Sequence, residues 1–117
     1  MIAPRVLLVE DDILLAFEMQ DILSDAGYEI LRPAATVAKA LQLIESQDPQ
    51  LAFVDCNLDG EHATAVAVAL TARNIPFAIV TGHERDSLPA AFSNGLFARK
   101  PFKAARLLEI ARALFQY

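Results

Sequence analysis

Arg5-Val6-Leu7-Leu8-Val9-Glu10-Asp11-Asp12 begins as an apolar run and ends in three consecutive acids. Val6 to Val9 shows no polar alternation, the pattern of a strand covered on both faces, as in parallel sheets flanked by helices. The acids then fall at the carboxyl end of that strand, and Asp12 stands where it can cap the next helix. Downstream, Tyr28 to Leu31, Leu51 to Val54, Phe77 to Val80 and Leu96 to Ala98 read as further short strands, and four of the five lack polar alternation. The segments between them are long enough for crossover helices.

The first of these helices places Leu15, Met19, Ile22, Leu23 and Ala26 on one face, with Gly27 as its stop. Val37 to Ser46 and Glu61 to Arg73 read as the second and third, closed by Asp48-Pro49 and by Asn74 with Pro76. A fourth pattern, Glu84 to Asn94, is diluted by Ser87 and Pro89, and the last, Ala104 to Phe115, aligns Leu107, Ala111 and Leu114. β-α repeated five times predicts an α/β domain over residues 1–117: a five-stranded parallel sheet with helices on both faces and right-handed crossovers. The last helix reaches the end of the sequence, so no appended output domain is expected.

Ten Lys+Arg against fifteen Asp+Glu leave a formal charge of −5, which argues against nucleic acid or an anionic membrane surface as partner. Cys56 is the sole cysteine, so an intramolecular disulfide is impossible, a cysteine zinc site is disfavoured, and Cys56 reads as a small core residue. The run after Met1 is too short and too soon interrupted by acids for a signal peptide or membrane span, and a cytoplasmic protein is expected.

In open α/β sheets the functional crevice lies beyond the carboxyl ends of the strands. Here those ends carry Glu10-Asp11-Asp12, Asp55, Thr81-Gly82 and Lys100-Pro101. Carboxylates converging on one crevice repel one another, which is tolerable if a hard divalent cation such as Mg²⁺ takes oxygen ligands from them and a lysine offsets the rest. An aspartate beside Mg²⁺ and an ammonium is equipped to attack phosphorus, because both cations neutralise phosphoryl oxygens. Asp55 is the candidate nucleophile, and the Thr81 hydroxyl is placed to bond a phosphoryl oxygen and so report its arrival. Lys100 precedes proline, which biases it to extended backbone and permits a cis bond in a turn.

With these motifs in chain order, the sequence resembles a receiver domain of the two-component response-regulator superfamily, in its stand-alone form. The resemblance implies the flavodoxin-like strand order 2-1-3-4-5. It matches Asp55 to the phosphoacceptor, Asp11 to the direct metal ligand, Glu10 to the second acid, and Asn57 to the residue whose backbone carbonyl completes the Mg²⁺ site. Thr81 and Lys100 match the switch hydroxyl and the site lysine, and Phe97 the aromatic that changes rotamer. Asn57 and His83 match positions whose side chains flank the water that ends the phosphoryl lifetime. Pro76-Phe77-Ala78-Ile79-Val80-Thr81-Gly82 further resembles the Pro-Phe-x-Phe-Ala-Thr-Gly signature of an alphaproteobacterial single-domain subfamily, with Ile79-Val80 in place of Phe-Ala.

The implied partners are a sensor histidine kinase or histidine phosphotransfer protein and a downstream protein target, with the chain a monomer or weak dimer. Phosphorylation would control protein binding, or the chain would serve as a phosphate shuttle or sink. An alternative from another class is a small phosphohydrolase with Asp55 as covalent nucleophile. Such enzymes usually carry a second aspartate two residues on, where this sequence has Asn57, and a substrate cap, for which no segment is present.

Overall fold

The computed structural model describes residues 3–82 and 88–115. The main sheet is built from β1 (Arg5–Val9), β2 (Glu29–Ile30), β3 (Leu51–Val54), β6 (Phe77–Thr81) and β7 (Leu96–Arg99), all parallel, in the order β2-β1-β3-β6-β7. This is the expected 2-1-3-4-5 order once two extra short strands are set aside. Those are β4 (Asn57–Leu58) and β5 (Glu61–His62), which pair antiparallel in a hairpin outside the main sheet.

The hairpin corrects the expected start of the third helix at Glu61. Asp59 and Gly60, the two loop residues, both have positive φ (51° and 86°), as the tight turns that match strand twist require, and Asp-Gly is a preferred pair there. α3 therefore begins only at Thr64 and runs to Ala72. α1 (Ile13–Asp25), α2 (Val37–Gln47) and α4 (Ala104–Phe115) lie close to their expected bounds. Asp12 caps α1 by accepting from the backbone N–H groups of Leu14 and Leu15, and Thr36 caps α2 by accepting from that of Lys39. Ala26, expected on the buried face of α1, is instead its exposed C-cap.

The fourth helical pattern fails among its described residues. Ala90–Phe92 makes a single 3-10 turn that buries Phe92, and Asn94 stands in a turn before β7. Pro89 ahead of the turn is extended, in keeping with a segment that lacks a continuous apolar stripe. Residues 84–87 of that pattern lie outside the described residues.

The sheet divides the core in two. Leu7, Val9, Ala52, Val54, Phe77 and Ile79 face α2 and α3, whereas Val6, Leu8, Phe53, Ala78 and Val80 face α1 and α4. Because successive strand residues point to opposite faces, unbroken apolar strands supply both layers at once. α3 packs through Val66, Ala67 and Leu70 and leaves Val68 exposed. Among the described residues no helix is long and apolar enough to cross a membrane.

Gly95 enters β7 against the ring of Phe77, and a Cβ added there would lie 2.7 Å from that ring and 3.2 Å from the Phe77 carbonyl oxygen. Phe77 is buried and cannot swing clear. Gly95→Ala is expected to cost about 1–3 kcal/mol of unfolding free energy. A denaturant midpoint equal to that of the parent would show that the sheet edge yields freely.

Candidate functional site

Four strand ends converge. Glu10 and Asp55 are the first residues beyond β1 and β3, Thr81 is the last of β6, and Lys100 is the first beyond β7. Parallel strands in register bring these positions together whatever their separation in sequence. Main-chain bonds fix the edge further: Glu10 N–H donates to Ala34 O, Asp55 N–H to Val9 O, and Lys100 N–H to Thr81 O, the last at 2.8 Å.

The Lys100 ammonium lies 2.9 Å from Glu10 Oε1 and donates to Asp55 Oδ2 at 2.9 Å. Glu10 and Asp55 are 4% and 9% exposed, so little water competes for either carboxylate. Their other oxygens accept from the main chain: Glu10 Oε2 from Asp12 N–H at 3.1 Å and Asp55 Oδ1 from Asn57 N–H at 3.3 Å. The Lys100–Pro101 peptide is cis, as the proline permitted.

Asp11 is the more open acid. Its Oδ2 accepts from Asp59 N–H at 2.8 Å, so the hairpin that displaced the start of α3 also holds this carboxylate. Glu10, Asp11 and Asp55 each offer a carboxylate oxygen, and these three lie within 4.8 Å of one another. Three hard, anionic oxygen donors fit the coordination chemistry of Mg²⁺.

Burial pushes the Glu10 carboxyl up to about 7, a rise that the hydrogen bonds from Lys100 and Asp12 oppose and the charge of Asp55 reinforces. For Lys100, burial alone would lower the ammonium, but its bonds to Glu10 and Asp55 overrule burial and hold it above its ordinary value. One cation thus serves two buried carboxylates, with an anionic excess left over.

Thr81 is fully buried, and its Oγ1 lies 3.1 Å from the Sγ of buried Cys56. Nothing in the local sequence around Cys56 announces this contact; the register of β3 against β6 produces it. Phe97, half-buried on β7, lines a small depression with Ile79, Leu88 and Phe92. The Asn57 side chain is exposed beside the site. His83 lies outside the described residues. Glu10, Asp11, Asp55, Thr81 and Lys100 are therefore all placed at the sheet's carboxyl edge, and Asp12 serves as the helix cap.

Residues 6–112 match the family model for the response regulator receiver domain. The chain is 29% identical over 108 residues to the transcriptional regulatory protein PdtaR of Mycobacterium tuberculosis, covering 89% of this chain and 53% of that protein. It spans about half the length of the curated relatives it matches. Among solved structures it is similar to SdrG from Sphingomonas melonis Fr1, at 35% identity and a TM-score of 0.83, covering 96% of both chains. A CheY-like receiver domain protein from Methanospirillum hungatei JF-1 superimposes with a TM-score of 0.89 at 26% identity, over 98% of this chain and 95% of that one.

The raised Glu10 carboxyl has a consequence for metal-free protein. Between its ordinary value of 4.5 and about 7 the folded state keeps a proton that the unfolded chain has released. Stability present below that window is therefore lost as pH rises through it. Unfolding free energies measured in chelator at about pH 5 and pH 8 should show this decline in the parent and a smaller one in Glu10→Gln. Equal declines in the two proteins would assign the pH dependence to other groups.

Proposed function

The chain belongs to the response regulator receiver domain family, and on that premise we propose that it accepts a phosphoryl group on Asp55, in a Mg²⁺-dependent reaction, from a histidine kinase or a histidine phosphotransfer protein. The observation that carries this reading is the setting of Asp55: a nearly buried carboxylate with an ammonium at 2.9 Å and two further acids within metal-sharing distance. An Asp55 oxygen forms the new O–P bond as the bond between phosphorus and the donor imidazole nitrogen breaks, the electron pair staying with nitrogen.

Glu10, Asp11 and Asp55, with the backbone carbonyl of Asn57, are the residues that would hold Mg²⁺. When bound, the metal supplies positive charge to the phosphoryl oxygens. Lys100 supplies more, and it is already placed against Asp55. A phosphoryl group adds about −1.5 to −2 charges at the sheet edge. The Thr81 hydroxyl and the Lys100 ammonium are drawn toward it, and the movement passes to Phe97 on the neighbouring strand β7, where Phe97 pairs with Ile79 of β6. Asn57 and His83 time the decay of the phosphorylated form through the water that hydrolyses it.

The first turns of α1 support a docking partner. Ile13, Leu14 and Phe17 are 66%, 78% and 57% exposed, an apolar group whose Leu14 borders a depression shared with Lys100, Pro101 and Phe102. Exposed apolar side chains gathered beside a reactive group suit a protein that must bring its own phosphohistidine to Asp55. Phosphorylation then controls protein binding, or the chain passes the group on as a shuttle or sink.

Incubation with acetyl phosphate or a cognate kinase and Mg²⁺ is expected to label Asp55 stoichiometrically, and Asp55→Asn to abolish the label. Full labelling of Asp55→Asn would place the acceptor elsewhere, and sustained turnover of small phosphate esters would make the chain a phosphohydrolase. The double variant Leu14→Glu/Phe17→Glu should slow transfer from the kinase by about ten-fold or more while leaving acetyl phosphate labelling unchanged. Equal loss with both donors would remove this surface from partner recognition.

A further inference from the structure

The register of β3 against β6 pairs Ala52 with Phe77, Phe53 with Ala78 and Val54 with Ile79. Carried two residues further, it sets Cys56 level with Thr81. Ala52, Val54 and Cys56 share the sheet face covered by α2 and α3 with Phe77 and Ile79, and strand alternation assigns Thr81, two residues past Ile79, to that same face. By the same alternation Asp55, between Val54 and Cys56, belongs to the other face. The hydroxyl lies where this pattern puts it: Thr81 Oγ1 is 3.1 Å from Cys56 Sγ, with the two residues 1% and 4% exposed.

A thiol and a hydroxyl at this distance share a hydrogen bond that either can donate, and sulfur is the weaker partner in both roles. A weak contact suits a group that has to leave. Resting on the phosphoacceptor reading above, we propose that Cys56 is a positioning residue: its Sγ holds the Thr81 hydroxyl on the α2–α3 side of the sheet in the unphosphorylated protein, and the strength of that contact sets how readily Thr81 turns to a phosphoryl group on Asp55. An interaction present in one state and given up in the other biases the equilibrium by its own free energy. Loss of the thiol therefore favours the phosphorylated arrangement, provided that a threonine hydroxyl is there to be released.

The test is titration of the full chain with beryllofluoride, a phosphoryl mimic, in the presence of Mg²⁺, with half-saturation read from amide chemical shifts. Cys56→Ala, Cys56→Val and Cys56→Ser are compared in the Thr81 and Thr81→Ala backgrounds. Cys56→Ala should lower the half-saturating concentration by roughly two- to ten-fold when Thr81 is present, and not at all in Thr81→Ala. Cys56→Val keeps bulk at the site without a hydrogen bond, should act in the same direction, and carries the comparison if the alanine variant does not fold. Cys56→Ser supplies a stronger donor and acceptor and should leave the half-saturating concentration at or above that of the parent. A Cys56→Ala or Cys56→Val effect of equal size in both backgrounds, a weakening of binding by either, no effect of either, or a Cys56→Ser protein that binds as tightly as Cys56→Ala overturns the inference while the phosphoacceptor reading stands. A parent that takes up beryllofluoride no better than Asp55→Asn overturns both.

Discussion

Two nearly buried carboxylates side by side repel one another, and the carboxyl ends of β1 and β3 can close together because the ammonium of Lys100 lies 2.9 Å from an oxygen of each. That ammonium comes from the far side of the sheet. β7 is separated from β3 by β6, so the lysine reaches Asp55 past the strand that carries Thr81. The main chain ties the two ends together as well, with Lys100 N–H on Thr81 O at 2.8 Å. Charge balance at the crevice and the seating of the edge strand are thus one problem with one solution. An uncompensated acid buried in its place would remain protonated over a wider pH range, the direction in which Glu10 already leans.

Most of this arrangement was legible in the sequence because it depends on strands alone. Val6 to Val9 and Leu51 to Val54 are short and apolar on both faces, which determines that they are central and parallel, and the residues just past such strands must meet at one edge. The bounds of α4 were legible for a related reason: Leu107, Ala111 and Leu114 fall on one helical stripe and are buried. Periodicity carries that kind of information without reference to the rest of the fold.

What sequence reading missed depends on dihedral angles or on register. Glu61 and His62 fall within the expected third helix, yet Asp59-Gly60 turns the chain first and pairs them with Leu58 and Asn57. The consequence reaches the site, since the same turn presents Asp59 N–H to Asp11. Cys56 is the buried core residue expected of it, but its contact with Thr81, 25 residues away in sequence, arises only through the pairing of β3 with β6. Among the described residues before Gly95, a 3-10 turn over Ala90–Phe92 buries one phenylalanine in place of the helical stripe expected there.

The two margins of the main sheet bear on how the chain behaves in a crowded solution. An open sheet presents unpaired N–H and C=O groups at its outer strands, and such margins template aggregation when they are long and flat. Here one margin is β2, two residues long and followed by Leu31-Arg32-Pro33, and the other is β7, four residues long and ending in Arg99, two residues before Pro101. Short length, cationic side chains and a proline that offers no donor leave little for a foreign strand to extend. An unbroken apolar middle, which unfolded would be prone to sticking, is thereby enclosed between two margins that discourage strand-by-strand growth.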